Sequence, residues 1–170
     1  MRVFAAIVFV YVIQACAAAQ IRDQEAERFA AKISSLVDRL AQRQSSLKQL
    51  EDILGGEIFE QQQGRYAIIK SPQHNTLAAI EEQGGDSVVT ELVIYPKSDL
   101  KLTFQDLQVT MGKWQIDQEY QASSPVFECV SADRKILVSV YVTLLFPPTD
   151  PISRIVSIRI QVASTETEKG

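Results

Sequence analysis

The chain is poor in the side chains that usually carry chemistry. It has one histidine, one tryptophan, one asparagine and two cysteines in 170 residues. A zinc site needs three or four nitrogen, sulfur or carboxylate ligands close in space, and one His with one distant Cys does not supply them. His74 stands in the polar run KSPQHNT and reads as a solvated loop residue. No G-x-S-x-G elbow, phosphate loop or dinucleotide fingerprint occurs, so nothing points to those catalytic or cofactor-binding classes. Positive charge is not in excess either. The net charge is −4 and the pI about 5.1, whereas a nucleic-acid binder usually presents a basic face. The single Asn75 is followed by Thr76-Leu77, so there is no glycosylation sequon. The expectation is a protein with no metal, no cofactor, no nucleic-acid partner and no enzymatic activity.

What is present begins with a targeting segment, residues 1–19, excluded from the fold. Arg2 forms a short positive region and VFAAIVFVYVI follows, too short to span a bilayer as a helix. Two exits compete. Ala17-Ala18-Ala19 before Gln20 is an A-x-A cleavage site, whereas Ile13-Gln14-Ala15-Cys16 resembles a bacterial lipobox with lipidation at Cys16. Both imply export, and both leave Cys129 as the one usable thiol, so no intramolecular disulfide is possible. A periplasmic protein of the bacterial envelope, anchored to the outer membrane by lipid, fits these features. Cys129 itself shares a strand face with Phe127 in VFECV and reads as a buried structural residue.

An apolar fraction of 46% is enough for a core. Lys135–Phe146 alternates with the two-residue period of a strand: Ile136, Val138, Val140, Val142, Leu144 and Phe146 fall on one face. Arg154–Val162 repeats the pattern with Val156, Ile158, Ile160 and Val162. These two segments are predicted as the central strands of an antiparallel sheet packed on one side. Earlier, Phe29, Ile33, Leu36 and Leu40 recur at helical spacing, and the break near 42–46 divides a helix over about 23–43 from a short one over 47–54. The first helix either packs its stripe on the domain or leaves it as a stalk or coiled-coil arm about 30 Å long.

The most specific feature is a repeated box. Ser46-Leu47-Lys48-Gln49-Leu50-Glu51-Asp52-Ile53-Leu54-Gly55 recurs 57 residues later as Thr103-Phe104-Gln105-Asp106-Leu107-Gln108-Val109-Thr110-Met111-Gly112. Ser or Thr caps a helix and Gln or Asp three residues on answers the cap. Two large apolar residues four apart share a face, and Gly ends the helix in the left-handed region. Strand-like sequence follows each copy: 57–62, 65–71 and 87–96, then 113–119, 125–131 and the two strands above. A turn of helix is predicted at 76–83. The fold class expected is α+β: a long N-terminal helix, then two helix-plus-antiparallel-meander units, about 46–98 and 103–163, forming one sheet or two adjoining ones. Residues 20–45 are the N-terminal helix and linker, and 164–170 a polar tail.

A short helix ending in Gly, followed by a meander and then repeated, resembles the β-lactamase-inhibitor-protein fold. It is also similar to the small barrel-assembly lipoproteins of the SmpA/OmlA type, whose helix carries T-x-x-[DQ]-[VL]-x-x-x-[LM]-G. The resemblance covers roughly residues 46–162. It implies a non-catalytic protein that binds another protein with the open face of its sheet.

Trp114, Tyr120, Tyr66 and Tyr95 are the candidate recognition residues, because Trp and Tyr supply much of the energy of protein interfaces. Glu81, Glu82, Asp117, Glu119 and Glu128 read as surface charge; a glycosidase would need two carboxylates held across a cleft. Two other function classes stay open, a carrier of apolar ligands between sheet and helices and a carboxylate-dependent cell-wall hydrolase.

Overall fold

The computed structural model describes residues 24–43, 46–62, 65–83, 86–117, 124–148 and 153–165. It is an α+β structure in two layers, helices on one face of an eight-stranded antiparallel sheet. Residues 24–41 are helical (α1). Ala26, Phe29, Ala30, Ile33, Leu36, Val37, Leu40 and Ala41 recur every three or four residues and are all buried. They belong to the same core as the sheet. This part of the helix therefore packs on the domain and does not stand off it as a stalk.

The two boxes form capped helices, α2 (Leu47–Leu54) and α3 (Phe104–Met111). Ser46 Oγ accepts from Gln49 N–H while the Gln49 side chain accepts from Ser46 N–H. Thr103 and Asp106 repeat the exchange. Gly55 (φ +74°) and Gly112 (φ +85°) end the helices in the region that favours glycine. Leu47, Leu50, Leu54, Phe104 and Leu107 are the buried core contributions of these two short helices.

Eight strands follow the order β1-β2-β3-β4-β8-β7-β6-β5. The first meander is β1 (Glu57–Gln62), β2 (Tyr66–Lys70), β3 (His74–Gln83) and β4 (Asp86–Pro96). The second is β5 (Gln115–Asp117), β6 (Ser124–Val130), β7 (Ile136–Leu144) and β8 (Ile155–Ser164). They join along β4 and β8, which pair from Glu91↔Gln161 to Ile94↔Ile158. The central pair is thus β4–β8. The expectation that β7 and β8 are both central is corrected: β7 lies one position further out, and the middle of the sheet is the seam between the meanders.

Three other sequence expectations change. The segment predicted as a helical turn at 76–83 is strand, β3, paired with β4 along its length and with β2 over Asn75–Ala79. On β8 the inward set is Ile155, Ile158 and Ile160, and Val156 is 47% exposed. A register shift pairs Thr143 with Ser157 but Leu144 with Ile155, so Val156 is the extra residue of a bulge and the alternation changes phase there. Phe146, assigned to the inner face of β7, lies past the strand's end and is 51% exposed.

His74 is the largest correction. It is fully buried on β3 and is not a solvated loop residue. Its Nε2 lies 3.1 Å from Gly55 O and 3.4 Å from Leu54 O. Two carbonyls accept there, so Nε2 carries the proton, and Nδ1 accepts from the Thr76 hydroxyl at 2.9 Å. Phe29 covers the ring at a centroid distance of 5.3 Å. His74, helped by Lys32 Nζ donating to Leu54 O at 3.2 Å, satisfies the carbonyls at the end of α2. The sole histidine is a tie between α2 and the sheet.

This tie makes stability depend on pH. Burial, with the positive charges of Lys32 and Lys97, holds the imidazole below its ordinary range against the opposing pull of the Leu54 and Gly55 carbonyls. Below about pH 6.5 the unfolded chain takes up a proton that the folded ring resists, so stability falls as pH falls through that window. The expected slope is up to about 1.4 kcal/mol per pH unit. Urea unfolding between pH 7.5 and 5 measures it. His74→Gln keeps a donor at the Nε2 position and cannot titrate, so it should flatten this part of the profile. An identical profile in wild type and variant would show that His74 is not the group responsible.

Candidate functional site: the open face of the sheet

One face of the sheet is covered by helices. On the other, alternation places Tyr66, Ile68 and Lys70 of β2 beside Ala79, Leu77 and Asn75 of β3. Leu77 pairs with Val93, and Val93 with Arg159 on β8. Arg159 pairs with Tyr141, which pairs with Val126 on β6. A continuous row therefore crosses the sheet: Ile68, Leu77, Val93, Arg159, Tyr141, Val126. Its first half is apolar, and there the exposed large side chains gather. Phe59 is 65% exposed, Tyr95 49% and Leu77 43%.

The charges on this face are largely neutralised in place. Arg159 Nε lies 2.6 Å from Glu91 Oε1 across the β4–β8 seam. Lys70 Nζ sits 3.2 Å above the Phe59 ring centroid, a cation–π contact. The Tyr66 hydroxyl donates to Glu60 Oε1 at 2.8 Å, and this hydrogen bond, with the carboxylate's charge, raises the phenol's pKa. The face thus combines apolar side chains with ionic groups already partnered within the protein.

The structure brings together two of the four predicted recognition residues. Tyr66 and Tyr95 both lie on the open face, on β2 and β4. Trp114 does not: it packs edge-on against Phe104 at 5.1 Å, and Phe104 in turn packs against Phe127 at 5.8 Å. The pairing Gln115↔Val126 puts the next residue back, Trp114, beside Phe127 and on the helix side of the sheet. It closes the core edge there. Tyr120 and the lipidation candidate Cys16 lie outside the described residues. Phe59, Leu77, Val93 and Tyr141 were missed. Leu77 and Val93 could have been found by extending strict alternation through 74–80 and matching it to 88–95.

Cys129 is half-buried beside the core. Burial chiefly, and Asp38 secondarily, raise its pKa, so it is held as the thiol and is a poor nucleophile. Among the described residues no three His, Cys, Asp or Glu side chains gather as metal ligands, and no helix is long and apolar enough to cross a membrane. Between the layers Phe29, Ile33, Leu36, Leu92, Leu107 and their neighbours form one buried apolar cluster. Comparison with protein-family models, curated proteins and solved structures gave no match.

Proposed function

We propose that this chain is an exported envelope protein of the bacterial periplasm, tethered by lipid at Cys16, that binds another protein through the open face of its sheet and is not an enzyme. The observation that carries the reading is the group of Phe59, Leu77 and Tyr95, exposed together around the half-buried Tyr66, Ile68 and Val93. Exposed apolar side chains concentrated on one face mark interaction sites. The single buried cluster that joins the described helices and strands favours this over an apolar-ligand carrier. The pairing of Glu91 with Arg159 and of Glu60 with Tyr66 favours it over a hydrolase with two free carboxylates.

The two meanders also fit an ancestral duplication. Each follows a capped helix that ends in Gly, and each offers its fourth strand to the seam. Because α1 packs on the core, a lipid at Cys16 would be joined to the domain by residues 16–23 alone. Eight residues reach at most about 28 Å, so the partner is membrane-proximal.

Two measurements test the reading. Intact mass of the mature chain should show an acylated N-terminus at Cys16; an unmodified chain beginning at Gln20 would replace the tether with soluble export. A photo-crosslinking residue placed at Leu77 or Tyr95 in cells should give a discrete adduct that the same residue at Val109, 80% exposed on α3, does not. Equal adducts from Val109, or none from the sheet face, would end the face-binding reading.

A further inference from the structure

The sheet has two outer edges, and they are built differently. At β1 the edge is blunted. A bulge falls between Ile58 and Glu60, the Glu51 carboxylate takes the Ile58 N–H at 3.2 Å, and Lys70 lies over Phe59. These are the devices by which proteins keep an edge from pairing with other chains. Among the described residues the opposite edge has no bulge and no side chain that takes an outward N–H; its protection is a short edge strand. β5 is only three residues long and covers β6 from Ser124 to Val126, whereas β6 continues to Val130.

The direction of the uncovered groups follows from the ladder. Ser131 N–H donates to Ile136 O on β7 at 2.9 Å. In an antiparallel pair the hydrogen-bonded residues alternate, so Phe127, Cys129 and Ser131 face β7, and the N–H and C=O of Glu128 and Val130 face outward. Among the described residues nothing bonds them. The chain that would have covered them turns away because Trp114 is drawn into the core against Phe104. Where it diverges, Lys113, Trp114, Gln115, Val126 and Glu128 line an open groove of about 330 Å³. Val130 beside it is 52% exposed.

We propose that β6 accepts a strand from another polypeptide along Glu128–Val130, as a graft onto the sheet beyond the start of β5. Alternating donors and acceptors at strand spacing are complemented by an extended backbone; a helix has spent its own groups internally, and lipid headgroups do not present donors and acceptors in a fixed row at that spacing. The occupant is an extended, proline-free segment of a second protein, with an apolar side chain entering the groove beside the partly buried Trp114. Lys113 and Glu128 at its rim carry opposite charges, so a segment of low net charge fits best. This site needs neither the lipid tether nor the Leu77–Tyr95 face.

The test uses the full chain from Gln20 onward and nonapeptides selected from a displayed random library. Selected peptides should alternate β-branched or aromatic residues and avoid proline centrally. Val130→Pro removes an outward N–H and leaves the β6–β7 ladder whole, since that N–H does not face β7. It should weaken a selected peptide at least tenfold, while Val130→Thr and the face variant Leu77→Asp bind it unchanged. N-methylation of alternate peptide amides should weaken binding equally, an arm that does not depend on any variant folding. Equal binding to Val130→Pro with indifference to N-methylation would overturn the proposal. So would the absence of any selected sequence, or occupation of the edge by a second copy of the chain, seen as a dimer that Val130→Pro dissolves.

Discussion

Replacing Phe104 by alanine is expected to cost about 3–5 kcal/mol of stability, a large share of what a domain of this size has to lose. The side chain opens α3 directly after its Thr103 cap and is 2% exposed. It lies between two other rings, Trp114 at 5.1 Å in an edge-on arrangement and Phe127 at 5.8 Å. Truncation removes the apolar burial of a whole ring and leaves a cavity that rigid neighbours on β6 and the β5 approach cannot fill. Aromatic pairing adds about 0.5–1.5 kcal/mol beyond burial. Urea unfolding measures the loss, and Trp114, the only tryptophan, reports the site in its fluorescence. Val109→Ala on the same helix, at an 80% exposed position, should cost less than about 0.5 kcal/mol. If Phe104→Ala cost under about 1 kcal/mol, the ring would not be enclosed as described.

What could be read from the sequence, and what could not, divides by the range of the interaction. Both capping boxes were legible because every atom in them lies within ten residues: Ser46 with Gln49 and Gly55, Thr103 with Asp106 and Gly112. The inward face of β7 was legible because Ile136, Val138, Val140 and Val142 keep one phase. The β3 segment was not. Leu77-Ala78-Ala79-Ile80-Glu81-Glu82 is made of residues that favour helix, and only pairing with β2 and β4 overrides that preference. The misreading of His74 follows from it. Without β3, its ring has no reason to approach the end of α2, nineteen residues earlier.

The candidate site shows the same division. Tyr66 and Tyr95 were identified by residue type, and their placement on one face needs only alternation. Trp114 was assigned by type too, but its side is fixed by the register of Gln115 against Val126, a long-range fact. The β4–β8 seam, with Arg159 against Glu91, joins segments about seventy residues apart, and nothing local to either strand encodes it.

Gly56→Ala should be the other severe substitution, at about 2–4 kcal/mol. Gly56 follows the Gly55 that ends α2, and its φ of +132° is one that side chains rarely adopt. A Cβ there would lie 2.7 Å from Lys70 O, 3.0 Å from Ser71 Cβ and 3.2 Å from an Ile69 methyl. The nearest obstacle is backbone of β2, so relief requires β1 to move away from β2 at their first pair, Glu57↔Lys70. The same displacement would pull Gly55 O away from the His74 ring, 3.1 Å distant, and loosen the tie that holds α2. Gly112→Ala is the comparison. It carries a φ of +85° but meets nothing within 4 Å, so it should cost only the backbone term, about 1–3 kcal/mol, and less than Gly56→Ala. Urea unfolding of the two variants side by side separates close approach from backbone strain. Equal losses would mean that the strand contact at Lys70 adds nothing, and that position 56 needs glycine for its φ alone.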